Sequence, residues 1–308
     1  FTRKTKQSIA MSTSFNFMRF RNFYFLFSLC FLIPGIISLV LFGLRPAIDF
    51  TGGSLLELRT EQAETPSREQ VQEAAGEIYQ VSSVQNSGAG QFIIRGVSIS
   101  NDQKLELENK LSTTLGPLNE VRFETVGPTL GRELLQKTVF AIILASVGIT
   151  FYVARQFRSF KYGVCAILAM FHDTFILLGA FSLLGKFFNI EVDVLFVTAL
   201  LTTLSFSVHD TIVVFDRIRE TLRRNARFSF KEVANTAVLE TLGRSMNNSM
   251  TIIIMLLSLV LLGGETIRWF ALALLIGAVT GTYSSTFTAV PLLTVWDDLA
   301  QWWRNRKR

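Results

Sequence analysis

Two His-Asp pairs, His172-Asp173 and His209-Asp210, stand inside long apolar runs, and they hold the chain's only two histidines. A carboxylate at bilayer depth costs a few kcal/mol on insertion scales, so one retained there marks the path of an ion or a proton. Asp173 falls near the middle of its run and Asp210 in the second half of its own. On a helix, Ser207 and Thr203 share the Asp210 face at i−3 and i−7. Arg244, followed by Asn247 and Asn248, opens the next run. Desolvation raises a carboxyl pKa and a nearby guanidinium lowers it. The residues themselves mark Asp210 and Asp173 as the candidates for ion or proton transfer, with His172, His209, Thr203 and Ser207 in support. Two plainer roles stay open: Asp210 pairing with Arg217 or Arg219 near the membrane edge, and Asp173 as a hydrogen bond between packed helices. Two His and two Asp would be enough for a metal, yet nothing in the spacing gathers all four, and neither metal nor cofactor is expected.

Groups of this kind need membrane helices to hold them. The chain has 308 residues, 49% of them hydrophobic, 28 phenylalanines and a mean hydropathy of +0.38. Six stretches reach the roughly 20 apolar residues that a crossing requires: 23–44, 138–154, 162–184, 192–215, 246–262 and 269–296. The first is expected to be a retained anchor, because no small-residue cleavage site closes it. Nineteen Lys and Arg residues lie in 1–22, 155–161, 217–244 and 297–308, against Lys186 and Arg268 in the short loops of the other side. By the positive-inside rule both termini are cytoplasmic and 45–133 lies outside. The net charge of +6 thus sets topology and draws anionic lipid; it does not mark a nucleic-acid partner. The division expected is a cytoplasmic segment 1–22, the first span 23–44, an outer domain 45–133, the remaining spans within 134–296 and a basic tail 297–308. The stretch 216–245 reads as an amphipathic helix, or a pair of them, on the cytoplasmic membrane surface.

The outer segment changes to soluble-type patterning. Leu56 and Leu58 alternate with Glu57 and Arg59 in a strand. Ser67 and Gln70 form a capping box for a helix that buries Val71, Ala74, Ala75 and Ile78. A strand pair turns at Gly88-Ala89-Gly90, and Asn101 caps a second helix striped with Leu107, Leu111 and Leu115. A last strand points Val121, Phe123 and Thr125 to one face. The order β-α-β-β-α-β predicts a ferredoxin-like α+β domain, with no residue cluster suited to catalysis.

Short motifs in fixed order carry a resemblance: Asp49-Phe50-Thr51-Gly52-Gly53 after the first span, Val126-Gly127-Pro128 before the second, His172-Asp173 in the third, and the string from Asp210 to Glu220 closing the fourth. In these the chain resembles the SecF family, subunits of the bacterial SecD–SecF accessory complex of protein export and relatives of RND-type transporters. The resemblance implies a multi-pass protein of the cytoplasmic (inner) membrane that pairs with a SecD-like six-span partner. It also implies association with a SecY/SecE/SecG-type channel and use of the proton-motive force, without covalent catalysis, to help preproteins across. It assigns Asp210 as the essential intramembrane carboxylate and Arg244 as the basic residue that works with it. Two other classes fit some features: an RND-type proton-coupled exporter of small molecules or lipids, and an intramembrane hydrolase built on paired carboxylates.

Overall fold

The computed structural model describes residues 16–61, 66–88, 90–157, 159–224 and 228–306. Arg3, Lys4, Lys6, Arg158, Arg227, Lys307 and Arg308, which contribute to the charge asymmetry, and the turn residue Ala89 lie outside them. Among the described residues, six helices are long and apolar enough to cross a membrane. They are α1 (Arg21–Phe42, extended backwards by a 3₁₀ turn Phe17–Phe20), α5 (Pro128–Gln156), α6 (Phe160–Phe188), α7 (Val194–Arg224), α8 (Phe230–Leu262) and a last one in two parts. That last one joins α9 (Glu265–Ser284) through a π-helical turn, Ser285–Ala289, to α10 (Val290–Arg306).

Between α1 and α5 sits a small sheet domain. A single turn α2 (Ile48–Thr51) leads into β1 (Gly53–Thr60), α3 (Arg68–Gly76), β2 (Val81–Gly88), β3 (Gln91–Gly96), α4 (Asn101–Leu115) and β4 (Leu118–Val126). The strands lie in the order β2-β3-β1-β4, and every neighbouring pair is antiparallel. α3 and α4 cover one face through Val71, Ala75, Leu107 and Leu111, packed on Leu56, Leu58, Phe92 and Ile94. Both helices open with capping boxes, Ser67 with Gln70 and Ser100 with Gln103. The second cap is thus Ser100 and not Asn101, which takes the first helical position.

Three side chains depart from the alternation. Ile78 is exposed because α3 ends at Gly76, and Tyr79 takes the core position instead. Val121 is exposed because Glu57 pairs with Arg122 while Leu58 pairs with Glu120. Val121 is the extra residue of a bulge there and is turned away. Glu57 is buried because the second face of the sheet is covered as well.

What covers that face is α2 and the turn between α6 and α7. Gln85 Nε2 donates to Asn189 O (2.7 Å), the Arg95 guanidinium lies 3.1 Å from Glu191, and Arg45 bonds Asn189. Ala47 N donates to Val192 O and Val192 N to Arg45 O. The Asp49 carboxylate accepts from Val194 N (3.2 Å) and Asp193 from Phe196 N (2.7 Å), so two acids cap the first turn of α7. Gly52, at φ +74°, sits where a Cβ would come within 2.7 Å of Pro128 Cα, and a Cβ on Gly53, at φ +131°, would meet Gly96 O at 2.5 Å. The double glycine lets the sheet, the start of α5 and the cap of α7 converge at one point.

Burial pushes the Glu191 carboxyl above its ordinary value of 4.5, against the downward pull of Arg95, and burial raises Asp193 too. A raised carboxyl holds its proton more tightly in the folded chain than in the unfolded one. Its contribution is therefore full below pH 4.5 and is lost as pH rises through the raised value. The thermal midpoint of the whole chain in detergent is expected to fall across that window, and Glu191→Gln to flatten the fall. An unchanged slope in the variant contradicts the assignment.

At the opposite end of the bundle, Phe17, Met18, Phe157, Tyr162, Phe215, Ile218, Val233, Ala237, Val238 and Leu293 form one core. Phe17 N donates to Asn235 Oδ1 (2.6 Å), and Arg21 and Lys231 both reach Asp298. The stretch 216–245 is consequently not a separate pair of surface helices. Its described residues continue α7 as far as Arg224 and begin α8 at Phe230, and both helix ends contribute to this core. Length gives the reason: 31 residues of α7 rise about 46 Å, against about 30 Å of hydrocarbon. With one end capped at Val194, the surplus emerges at the basic end. The segment 1–22 likewise ends in packed structure, and 297–306 is helical.

Candidate functional site

Small residues bring α7 and α9 together. A Cβ on Gly277 would overlap Thr203 Cγ2, and one on Gly281 would lie 3.4 Å from Ser207 Cα. Gly277, Gly281 and Ser284 stand at i, i+4 and i+7 on α9, a single face. Gly35 of α1 and Gly179 of α6 make a second close crossing, where a Cβ on Gly179 would overlap Gly35 Cα. Ser38 Oγ donates to Ser182 Oγ (2.8 Å) one turn away. Close backbone approach of this kind is how membrane helices associate without a hydrophobic driving force.

Asp173 is buried at this junction, 2% exposed. One carboxylate oxygen lies 2.9 Å from His172 Nδ1, and the other accepts from Ser284 Oγ at 2.5 Å. Ser284 is the last residue before the π turn. The extra residue in such a turn shifts the helical face, so Ser284, Ser285, Thr286 and Thr288 are all buried. Among the described residues, His172 Nε2 and Ser207 Oγ are buried without a hydrogen-bond partner. Ser284→Ala leaves one oxygen of Asp173 without its donor, a change that costs about 1–3 kcal/mol in a buried site. It is expected to lower the thermal midpoint of the purified chain, and an unchanged midpoint would show that Asp173 does not depend on this bond.

Asp210 has a different setting. It is half-buried, accepts from Ser245 Oγ of α8 (3.2 Å), and borders a cavity of about 400 Å³ between α7, α8 and α9. Ser205, His209, Asn248, Ser249 and Thr282 supply polar lining, and Thr282 Oγ1 donates to Ser249 Oγ (2.7 Å). His209 is exposed. Thr203 Oγ1 donates to Ala199 O, so of Thr203 and Ser207 neither contributes a hydrogen bond to Asp210.

Arg244 is not brought to Asp210. It is exposed and lines a separate cavity of about 810 Å³ at the basic ends of α7 and α8. It immediately precedes Ser245, and successive helical residues are about 100° apart; with Ser245 facing Asp210, Arg244 is turned aside. The two carboxylates also have separate partners, His172 and Ser284 for one and Ser245 for the other. Among the described residues, no hydrogen bond gives the shared-proton pair a carboxylate hydrolase requires. Sequence reasoning passed over Ser245 and Ser284. The glycine spacing of α9, extended by one more turn, would have reached Ser284; nothing in the sequence singles out Ser245.

Two family descriptions match. "Protein export membrane protein SecD/SecF, C-terminal" covers residues 106–298, and the SecD/SecF GG motif covers 37–64, which contains Asp49 to Gly53. The protein translocase subunit SecF of Thermobaculum terrenum is 47% identical over 91% of this chain and 93% of its own. The chain belongs to the SecF family. The SecF of Anaerolinea thermophila is 37% identical over 94% of this chain and 96% of its own. The crystal structure of SecDF from Thermus thermophilus, a translocon-associated membrane protein, superposes with a TM-score of 0.82 at 32% identity. That match covers 92% of this chain and 39% of the SecDF chain, so the SecF chain spans about two fifths of that longer protein. As a SecF it is a multi-pass protein of the bacterial membrane with a role in protein export.

Proposed function

We propose that this SecF couples the proton-motive force to the movement and release of preproteins across the cytoplasmic membrane, working with a SecD-like six-span partner and a SecY/SecE/SecG-type channel. The observation that carries the proposal is Asp210, a carboxylate half-buried in an apolar helix and facing a polar cavity between three helices. The SecD partner is supported by relatives in which the two subunits are one chain, such as the SecDF of Bacillus subtilis. Co-purification in mild detergent is the check on these partners.

In this mechanism Asp210 takes a proton arriving from the outer side and passes it to the cytoplasm. Ser245 donates to the carboxylate and stabilises its charged form. A turn of α8 that replaces Ser245 by Arg244 would favour that form more strongly and expel the proton. One elementary charge crossing 100 mV yields about 2.3 kcal/mol, enough to bias a two-state equilibrium roughly fiftyfold. The outer domain is the element to be moved. Its strand order and two crossover helices support a ferredoxin-like reading, and it grips the α6–α7 turn and the cap of α7. A change in α7 packing thereby reaches the domain directly. Cytoplasmic placement of both termini is supported by the basic residues gathered at one end. Asp173, buried between His172 and Ser284, is proposed as a second proton-transfer group on the same path. The test is preprotein release from vesicles under an imposed gradient, comparing Asp210→Asn and Asp210→Glu with the unaltered protein.

A further inference from the structure

The cavity at the basic ends of α7 and α8 carries more positive charge than its own partners neutralise. Arg217, Arg219, Arg223, Arg224 and Arg244 line it, against Asp216, Glu220 and Glu240. Arg217 is held by Glu220 and Glu240, Arg219 by Asp216 and Arg224 by Glu220. Among the described residues, Arg223 and Arg244 have no carboxylate partner, one on each wall of the cleft. The existing pairs are exposed ones, which contribute little and rearrange at small cost. A guanidinium offers two parallel N–H donors that match two oxygens of a phosphate. Two unpaired guanidinia facing one cleft of about 810 Å³ are therefore a receptor for a phosphate-bearing anion.

We infer that this cleft binds a phosphate group, contributed by the headgroup of an anionic phospholipid. Two features favour the lipid over free phosphate. The cleft continues inward to Val213, one turn short of Asp210 and within the apolar stretch 212–215 of α7. It also lies at the basic end of α7 and α8, whose 31 and 33 residues exceed what the hydrocarbon core requires, so this end is the one that reaches headgroup depth. Occupancy has a consequence for Arg244, because a guanidinium held by phosphate cannot also turn to Asp210. That consequence rests on the coupling proposed above, whereas the binding site itself does not.

The test is native mass spectrometry of the full chain after detergent exchange and incubation in mixed detergent micelles containing phosphatidylcholine and phosphatidylglycerol. The unaltered chain is expected to retain phosphatidylglycerol preferentially, and Arg223→Gln to weaken retention roughly fivefold, the loss expected for one basic contact. Arg155→Gln, at the same end of the bundle but outside the cleft, is the control and is expected to change nothing. Inorganic phosphate added to the lipid-free chain decides the source. If it raises the thermal midpoint through Arg223 while phosphatidylglycerol is not retained, the site is real and its ligand is a free phosphate. Equal retention in Arg223→Gln and the unaltered chain, or an equal loss in Arg155→Gln, overturns the assignment. Retention measured this way is independent of gradient-driven release, so failure of the coupling mechanism leaves it standing, and the reverse also holds.

Discussion

Asp210→Asn is expected to reduce preprotein release under an imposed gradient to the rate seen without one, while Asp210→Glu keeps a substantial part of the gradient-dependent component. Asn fits the same space and still accepts from Ser245, so the bond between α7 and α8 survives. What Asn cannot do is exchange a proton. The effect therefore separates coupling from folding: release under the gradient falls by as much as roughly fiftyfold, the bias one charge supplies at 100 mV, and the thermal midpoint barely moves. Glu restores the titrating group with one extra methylene, which the polar cavity of about 400 Å³ has room to admit. Full gradient-driven release by the Asn variant would remove Asp210 from the mechanism and leave the chain as a membrane-anchored scaffold.

The largest expected effect on stability is at Gly277. Its missing side chain is the space occupied by Thr203 Cγ2, so Gly277→Val forces α9 away from α7. Overpacking a tight interface typically costs 1–3 kcal/mol, occasionally more, and this one offers little relief because the neighbouring atoms belong to a helix buried on the same face. The variant is expected to lose several degrees in thermal midpoint and to aggregate on heating in detergent. Thr203→Ala removes Cγ2 and leaves its Cβ 2.8 Å from the Cβ position of residue 277. The pair Gly277→Ala with Thr203→Ala should therefore recover part, though not all, of what Gly277→Ala loses. Thermal unfolding of the four proteins in a double-mutant cycle reads this coupling directly, and strict additivity would mean that the two residues do not touch.

How much of this was legible beforehand depended on the range of the interactions. Six apolar runs announce six helices because span length is a property of each run alone. The capping box at Ser67 and the burial of Val71 and Ala75 are equally local. What escaped was set by partners distant in sequence. Glu57 reads as an exposed strand residue, yet it is buried because the α6–α7 turn lies over the second face of the sheet. Val121 keeps its place in the alternation until a bulge opposite Glu57 turns it outward. The stretch 216–245 has the charge pattern of a surface helix, but Ile218, Val233 and Val238 are drawn into a core with Phe17 and Leu293 from opposite ends of the chain.

The site divides in the same way. His172, Asp173, His209 and Asp210 stand out because ionisable groups in apolar runs are expensive wherever they occur. Their partners do not stand out, since a serine in a membrane helix is unremarkable until the helices are assembled. Arg244 was expected beside Asp210 from the family resemblance alone. The helical rotation of one residue puts Ser245 there instead, a 100° difference that no count along the sequence resolves without knowing which face of α8 packs against α7. In the coupling mechanism, the arrangement described is the state in which Arg244 is withdrawn.

Proton flux into vesicles is the most direct measurement. The chain is reconstituted with its SecD-like partner, a gradient is imposed, and internal acidification is followed for the unaltered protein and for Asp210→Asn. The account predicts flux above the lipid background for the first and background alone for the second. Equal flux through both would contradict it.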